Sequence, residues 1–290
     1  MRILFLTPAP DYPEAFDWAY RRQGAALVEA GATLETRPWT AAGDLAEFDL
    51  VLPILAWGYN RRYAEWLAFL DRAEADRAPL LNAPRLLRWN SDKIYLAELG
   101  RRGIPSVATI AVDTLGDADL AAARAQFGTE ALVVKPPVSA GADGTFRIRA
   151  GETTPAAVAG QRMLVQPYLK AITSSGEVSL FYFGGEFSHA IVKLPREGDF
   201  RVQPTWGGHE RTIAPPPAAE ALAVQALAAC PDQPLYARVD MVDVGAGEWR
   251  IMELELIEPA LFLDHAADLG RGFAQAVLSA AERASEQPLA

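Results

Sequence analysis

The sequence predicts an α/β protein of two or three subdomains that opens with a doubly wound sheet. Three observations lead there. The chain has 290 residues, half of them apolar and 22% charged, which exceeds one small core and suits packed subdomains. Up to Ala75, apolar strand-like runs alternate with helical stretches, the order of a parallel sheet with helices on its faces. Beyond Asn82 the strand-like runs come in pairs separated by glycine turns, which reads as antiparallel hairpins.

Taken in order, Ile3–Leu6 is a buried strand stopped at Thr7-Pro8, and Glu14–Ala30 is a helix ending at Gly31. Thr33–Trp39 and Phe48–Leu55 are strand-like, and Tyr63–Ala75 is a helix. Ligands of such sheets bind beyond the carboxyl ends of the strands. The loops after Leu6 and Leu55 are therefore candidate substrate loops, with Asp11, Tyr12, Trp57, Tyr59 and Asn60 as candidate contacts. No Gly-x-Gly-x-x-Gly follows the first strand and no Walker lysine loop is present, so a nucleotide would have to bind elsewhere. Next come a helix from about Asn90 to Gly100 with Ser91 as its cap, a strand Val107–Val112, a helix Ala118–Phe127 and a strand Ala131–Lys135. Phe146–Arg149, Met163–Leu169 and the hairpin Val178–Phe183/Phe187–Leu194 follow. A helix Ala218–Ala229, the strands Tyr236–Val244 and Trp249–Ile257, and a last helix from about Asp268 to Ala284 complete the chain.

Composition narrows the function classes. A net charge of −10 and a pI near 4.9 do not suit a general nucleic-acid binder, which needs a basic face. No run reaches the roughly 20 apolar residues of a membrane span, and the N-terminal apolar run is short for a signal peptide; a soluble cytoplasmic protein is the expectation. The single cysteine, Cys230, leaves no internal disulfide and no cysteine zinc site.

Strand alternation puts Glu253 and Glu255 on one face of Trp249–Ile257, roughly 7 Å apart. Their repulsion at an effective dielectric near 20 is on the order of 2 kcal/mol. Magnesium, which favours carboxylate oxygen together with phosphates, relieves it, and Asp240 on the preceding strand supplies a third oxygen. A solvated acidic strand face fits these carboxylates equally well. Arg238 shares the face of Asp240, as an ion-pair partner or as a holder of an anion. Lys135 ends an apolar strand, where an ammonium needs an anionic partner. Ser139 to Gly144 is a glycine-containing loop able to offer N–H groups to phosphate, or a plain hairpin turn. His189 and His265 read as structural; His209, after Gly207-Gly208 and beside Trp206, is a candidate substrate contact.

In their order, these pieces resemble the ATP-grasp superfamily in its glutathione-synthetase-like branch, over roughly residues 82 to 265. The resemblance implies an ATP-grasp fold: an N-terminal substrate-binding domain over 1–82, a central lobe over 83–168 and a C-terminal lobe with the metal site over 169–290, the two lobes enclosing ATP. Lys93 and Lys135 match the nucleotide lysines; Ser139, Gly141 and Gly144 the mobile phosphate loop; Gln166, Tyr168 and Leu169 the adenine hinge; and Glu177 the ribose acid. Arg238 matches the phosphate arginine, with Arg201 as a second catalytic arginine. Asp240, Glu253 and Glu255 match the ligands of one or two magnesium ions, with Glu255 standing where the family usually has Asn. Asp199-Phe200-Arg201 with Gly207-Gly208 is similar to the glutamate ligases that modify a ribosomal protein. Glu253 to Pro259 with Leu261-Phe262 is most similar to the O-ureido-D-serine cyclo-ligases of cycloserine biosynthesis. The implied activity is an ATP-dependent ligation through an acyl phosphate on a small amino-acid-like substrate. A small-molecule kinase of the same fold, a glutathione synthetase- or D-Ala-D-Ala ligase-type enzyme, and a nucleotide sensor are the alternatives. Relatives are often homodimers, which sets the expectation for assembly.

Overall fold

The structure, a computed structural model, describes residues 1–196 and 207–286. Its first strand, β1 (Arg2–Thr7), lies between β2 (Thr33–Pro38) and β3 (Leu50–Leu52), both parallel to it. Alternation along β1 splits its apolar side chains between two cores. Ile3 and Phe5 pack with Ala26 and Leu27 of α1 (Asp17–Glu29) and with Phe273 and Val277 of the last helix, α8 (Arg271–Glu286). Leu4 and Leu6 pack with Trp66, Phe69 and Leu70 of α2 (Tyr63–Ala75). A strand apolar on both faces needs helices on both, which is the doubly wound arrangement.

The next helix is α3 (Pro84–Ser91), followed by α4 (Tyr95–Arg101). These two helices replace the single helix, capped by Ser91, that the sequence suggests. Ser91 ends α3; its hydroxyl donates to the Leu87 carbonyl at 2.7 Å and accepts from Trp66 Nε1 at 3.0 Å. A buried hydroxyl with both bonds made inside a helix–helix contact is not free to cap. Both helices, expected in the central lobe, pack through Leu86, Tyr95, Leu96 and Leu99 against the large C-terminal sheet.

A small antiparallel sheet follows, ordered β4 (Ile110–Val112), β7 (Met163–Pro167), β5 (Leu132–Lys135), β6 (Phe146–Ile148). Leu132, Val134, Met163 and Val165 face Leu120 and Ala123 of α5 (Asp117–Phe127) in a core of their own. The alternate residues Val133, Lys135 and Gln166 line a cleft on the other side. This unit, the lid, forms one wall of that cleft.

After the short α6 (Ala171–Ser175) comes the large antiparallel sheet, ordered β10 (His209–Ile213), β9 (Glu186–Leu194), β8 (Glu177–Phe183), β11 (Tyr236–Asp243), β12 (Trp249–Glu255). One face carries Val178, Leu180, Val192, Val239 and Met241 against α7 (Pro217–Ala228). The other changes character along its length. Phe181, Phe183, Ile191 and Tyr236 join the core under β1, whereas Glu177, Ser179, Lys193, Arg238 and Asp240 are buried toward the cleft. No described helix is long and apolar enough to cross a membrane.

Candidate active site between the lid and the large sheet

A cleft of about 460 Å³ separates the lid from the large sheet. Its floor is set by strand register. Arg238 lies opposite Glu255, and Asp240 lies between Glu253 on β12 and Ser179 on β8. Glu177 lies opposite Lys193 on β9. The alternation read from the sequence thus brings Arg238, Asp240, Glu253 and Glu255 together. Arg238 donates through Nε to Asp240 Oδ1 at 3.0 Å and through Nη2 to Oδ2 at 2.9 Å, and pairs with Glu255. Ser179 Oγ donates to Asp240 Oδ1 at 2.5 Å. Lys193 pairs with Glu177 and sits 3.4 Å from Asp240 Oδ1. Burial alone would raise Asp240, but Arg238 and Lys193 outweigh it and hold the carboxyl well below its usual range. Burial raises Glu177 and Glu255 instead, because their cations are shared.

Lys193 was not among the expected site residues. Its signal resembles that of Lys135: a lysine near the end of an apolar strand, two residues beyond the inward-facing Ile191.

The roof hangs on Lys93. Its ammonium donates to the Ser139 carbonyl and lies 3.2 Å from Glu253 Oε1, and its backbone N–H donates to the Pro137 carbonyl at 2.8 Å. One side chain therefore ties the glycine-containing loop to β12. Within that loop Gly144 has φ +67°, and a Cβ there would meet Pro136 Cγ at 2.8 Å, so only glycine closes the turn. Among the described residues the N–H groups of Gly141, Ala142 and Gly144 have no acceptor. Lys135 also lines the cleft, with no ion pair among the described residues. Burial pushes its ammonium down to about 8.

At the end of β7, Gln166 donates to Thr109 Oγ1 at 2.8 Å. Tyr168 is buried under the Arg147 guanidinium, 3.8 Å from the ring centroid, and donates its N–H to the Ala131 carbonyl at 2.9 Å. The N–H of Leu169 has no acceptor among the described residues. Val107, Val133, Ile172 and Met252 add apolar walls at this end. They are ordinary core-type residues, with no sequence mark of a site.

β12 is an edge strand whose outer backbone pairs at Ile251 with the backbone of Pro105 and Val107 and beyond it with side chains. Asn90 donates to the Leu254 carbonyl at 2.8 Å and accepts from Leu256 N–H at 3.0 Å. The Tyr95 hydroxyl lies 2.8 Å from Leu254 N and 3.1 Å from its carbonyl oxygen. Asn82 bridges Leu235, Tyr236 and Leu256. Through these bonds the segment from Asn82 to Tyr95 positions the strand that carries Glu253 and Glu255.

The far end of the cleft is lined by Tyr12, Trp57 and Tyr59 from the N-terminal loops, joined by Glu14, Trp18, Glu258 and Phe262. Three expected substrate contacts are elsewhere. Asp11 pairs with Arg62 at the surface at 2.6 Å, Asn60 does not line the cleft, and His209 is exposed on the edge strand β10, opposite Leu194. Arg201 and Trp206 lie outside the described residues. His189 is structural, stacked on Phe181 at 4.2 Å and bonded to the Leu261 carbonyl.

Four cations, Lys93, Lys135, Lys193 and Arg238, thus share the cleft with six carboxylates: Glu177, Asp240, Glu253 and Glu255 among the cations, and Glu14 and Glu258 at the far end. Among the described residues no three acidic, histidine or cysteine side chains converge as a ready metal cage. The donor chemistry still fits a hard divalent ion. Magnesium needs only one or two carboxylates besides phosphate and water, and Glu253 and Glu255 reach the cleft from one strand face.

Comparison with known proteins gives the arrangement its family. Residues 3–82 match the model of the D-cycloserine synthetase DcsG N-terminal domain. The chain is 32% identical to the cycloserine biosynthesis protein DcsG of Streptomyces lavendulae, over 95% of this chain and 97% of that protein. The crystal structure of D-cycloserine synthetase DcsG superposes with a TM-score of 0.83 at 31% identity, covering 98% of this chain and all of the other. The D-alanine–D-alanine ligase of Bacillus anthracis shares the fold, with a TM-score of 0.70 at 18% identity over 98% of both chains. The chain belongs to the DcsG family of ATP-grasp proteins and is an ATP-dependent ligase.

Proposed function

We propose that the protein activates the carboxyl group of a small amino-acid-like substrate as an acyl phosphate and closes it onto a nitrogen, in the manner of an O-ureido-D-serine cyclo-ligase. The observation that carries this reading is the pairing of an anion-seeking lid with a carboxylate-rich floor. Lys135 forms no ion pair and the N–H groups of Gly141 and Ala142 have no acceptor among the described residues, and Glu253 and Glu255 are paired with Lys93 and Arg238 there. In this reading the adenine sits at the Leu169 N–H between Val133 and Met252, and the phosphates meet Lys93, Lys135 and the loop.

Asp240, Glu253 and Glu255 would hold magnesium, which supplies charge neutralisation at the phosphates. Lys93 and Arg238 then exchange partners, leaving the carboxylates for phosphate oxygens. Such an exchange keeps every buried charge paired before and after binding. Arg238 is placed to stabilise charge on the transferring phosphoryl group and on the acyl phosphate that results. The loop and the lid exclude water from that intermediate.

The test is an ADP-release assay over a panel of amino acids and their ureido and hydroxamate analogues, with magnesium omitted as control. The reading requires release that depends on one acid and on magnesium, with no phosphorylated end product. Release with a stable phosphorylated alcohol would make the protein a kinase of the same fold.

A further inference from the structure

Away from the phosphate-facing cations the cleft becomes aromatic and acidic. Trp18 and Trp57 have ring centroids 5.6 Å apart, and Tyr12 lies 6.3 Å from Trp57. Trp57 is fixed in place because its Nε1 donates to the Glu258 carbonyl at 3.1 Å. Two carboxylates line this space, Glu14 and Glu258. Both act on the Tyr12 phenol, and Glu258 also acts on Tyr59. Neither carboxylate forms an ion pair among the described residues, unlike Glu177, Asp240, Glu253 and Glu255. Arg61 lies over the Tyr12 ring at 5.4 Å and pairs with neither.

We propose that this half of the cleft is an ammonium subsite, in which Glu258 accepts hydrogen bonds from the protonated amine of the substrate and the Trp57 and Tyr12 rings face the same cation. A carboxylate buried without a cation is costly, and a charge-assisted bond to an ammonium removes that cost. Aromatic faces add cation–π attraction. Burial raises the Glu258 carboxyl to about 7, with Lys93 the main opposing influence, as expected of an acid that lacks a cation of its own. The consequence is specificity: the enzyme takes free amino acids and rejects N-acylated ones, peptides included. This rests on the ligase reading for the acid it activates.

The test is calorimetric titration of the protein saturated with magnesium and a non-hydrolysable ATP analogue. The probes are D-serine, L-serine and their O-carbamoyl esters, each against its N-acetyl counterpart. At least one free amine is expected to bind at least about tenfold more tightly than its acetylated form, about 1.4 kcal/mol. Glu258→Gln is expected to reduce that ratio below threefold while nucleotide affinity stays within twofold. The wild-type comparison stands even if the variant fails to fold. Equal binding of the acetylated forms, an unchanged ratio in Glu258→Gln, or a bound nucleotide with no amine bound would overturn the subsite alone. Failure of the nucleotide itself to bind would overturn the ligase reading and the subsite with it.

Discussion

On the floor of the cleft Asp240 is held by Arg238, Lys193 and Ser179, and Arg238 also holds Glu255; on the lid Lys135 has no ion pair and the N–H groups of Gly141, Ala142 and Gly144 have no acceptor among the described residues. The floor lies on a sheet whose other end is sealed into the core beneath β1 through Phe181 and Tyr236. The lid is built on a small core of its own, with Leu120, Val134, Ile148 and Val165, and reaches a neighbouring core through Val138. Burial is common to both walls, so burial is not what separates them. The floor balances its charges within the protein, whereas the lid leaves a balance for a ligand to complete.

The largest expected effect comes from breaking the floor. Arg238→Ala leaves Asp240 and Glu255 without their principal cation, and urea denaturation should show a loss of about 3–5 kcal/mol, the usual result of stranding a buried charge. Next, Glu253→Gln should lower ATP turnover at least a hundredfold, about 2.7 kcal/mol in barrier. Glu255→Asn, which restores the residue usual in the superfamily, should keep magnesium-dependent turnover. Equal loss in both variants would mean that the two carboxylates do not divide the work in this way.

Breaking the lid should do the reverse of breaking the floor. Lys135→Gln is expected to weaken binding of an ATP analogue by roughly 2 kcal/mol, the scale of a charge-assisted bond, and, because it removes a buried cation with no ion pair, to raise rather than lower folding stability below pH 8. The pH dependence follows from burial, which holds Lys135 near 8. Phosphate favours the charged form, so calorimetry should show proton uptake on binding above pH 8 and an affinity that falls as pH rises through that value. Lys135→Gln should flatten both.

The smallest effect concerns Glu258 without ligands. Its usual value is 4.5 and burial raises it to about 7. The folded state therefore holds a proton that the unfolded chain has already lost. Stability falls as pH rises from about 4.5 to 7, and the deficit is complete above 7. Thermal melts should show Glu258→Gln gaining on the wild type from pH 5 to 8, by on the order of 2 kcal/mol.

Strand alternation makes the floor legible in the sequence. Residues two apart on adjacent antiparallel strands share a face, so spacing alone groups Arg238, Asp240, Glu253 and Glu255. Lys193 carries the same kind of signal but escapes notice because its partners, Glu177 and Asp240, lie on other strands. β10 is hidden for a different reason. His209 to Ile213 has four polar side chains of five and is held by backbone pairing to β9, which leaves no periodic pattern to read. Asn90 reads as part of a helix start because its role, holding the edge of β12, is purely tertiary. The loops after β1 and β3 do reach the cleft as expected, but spacing does not say which side chain of a loop turns inward. Tyr12, Trp57 and Tyr59 line the cleft, whereas Asp11 turns outward to Arg62.

The claim on which the rest depends is that a substrate carboxyl oxygen attacks ATP. The direct measurement uses the acid found by the ADP-release assay, labelled with ¹⁸O in its carboxyl group, with the released phosphate analysed by mass spectrometry. An acyl phosphate collapsing onto nitrogen leaves one carboxyl oxygen on phosphorus, so the phosphate should carry one labelled atom. Phosphate released without label would contradict the account.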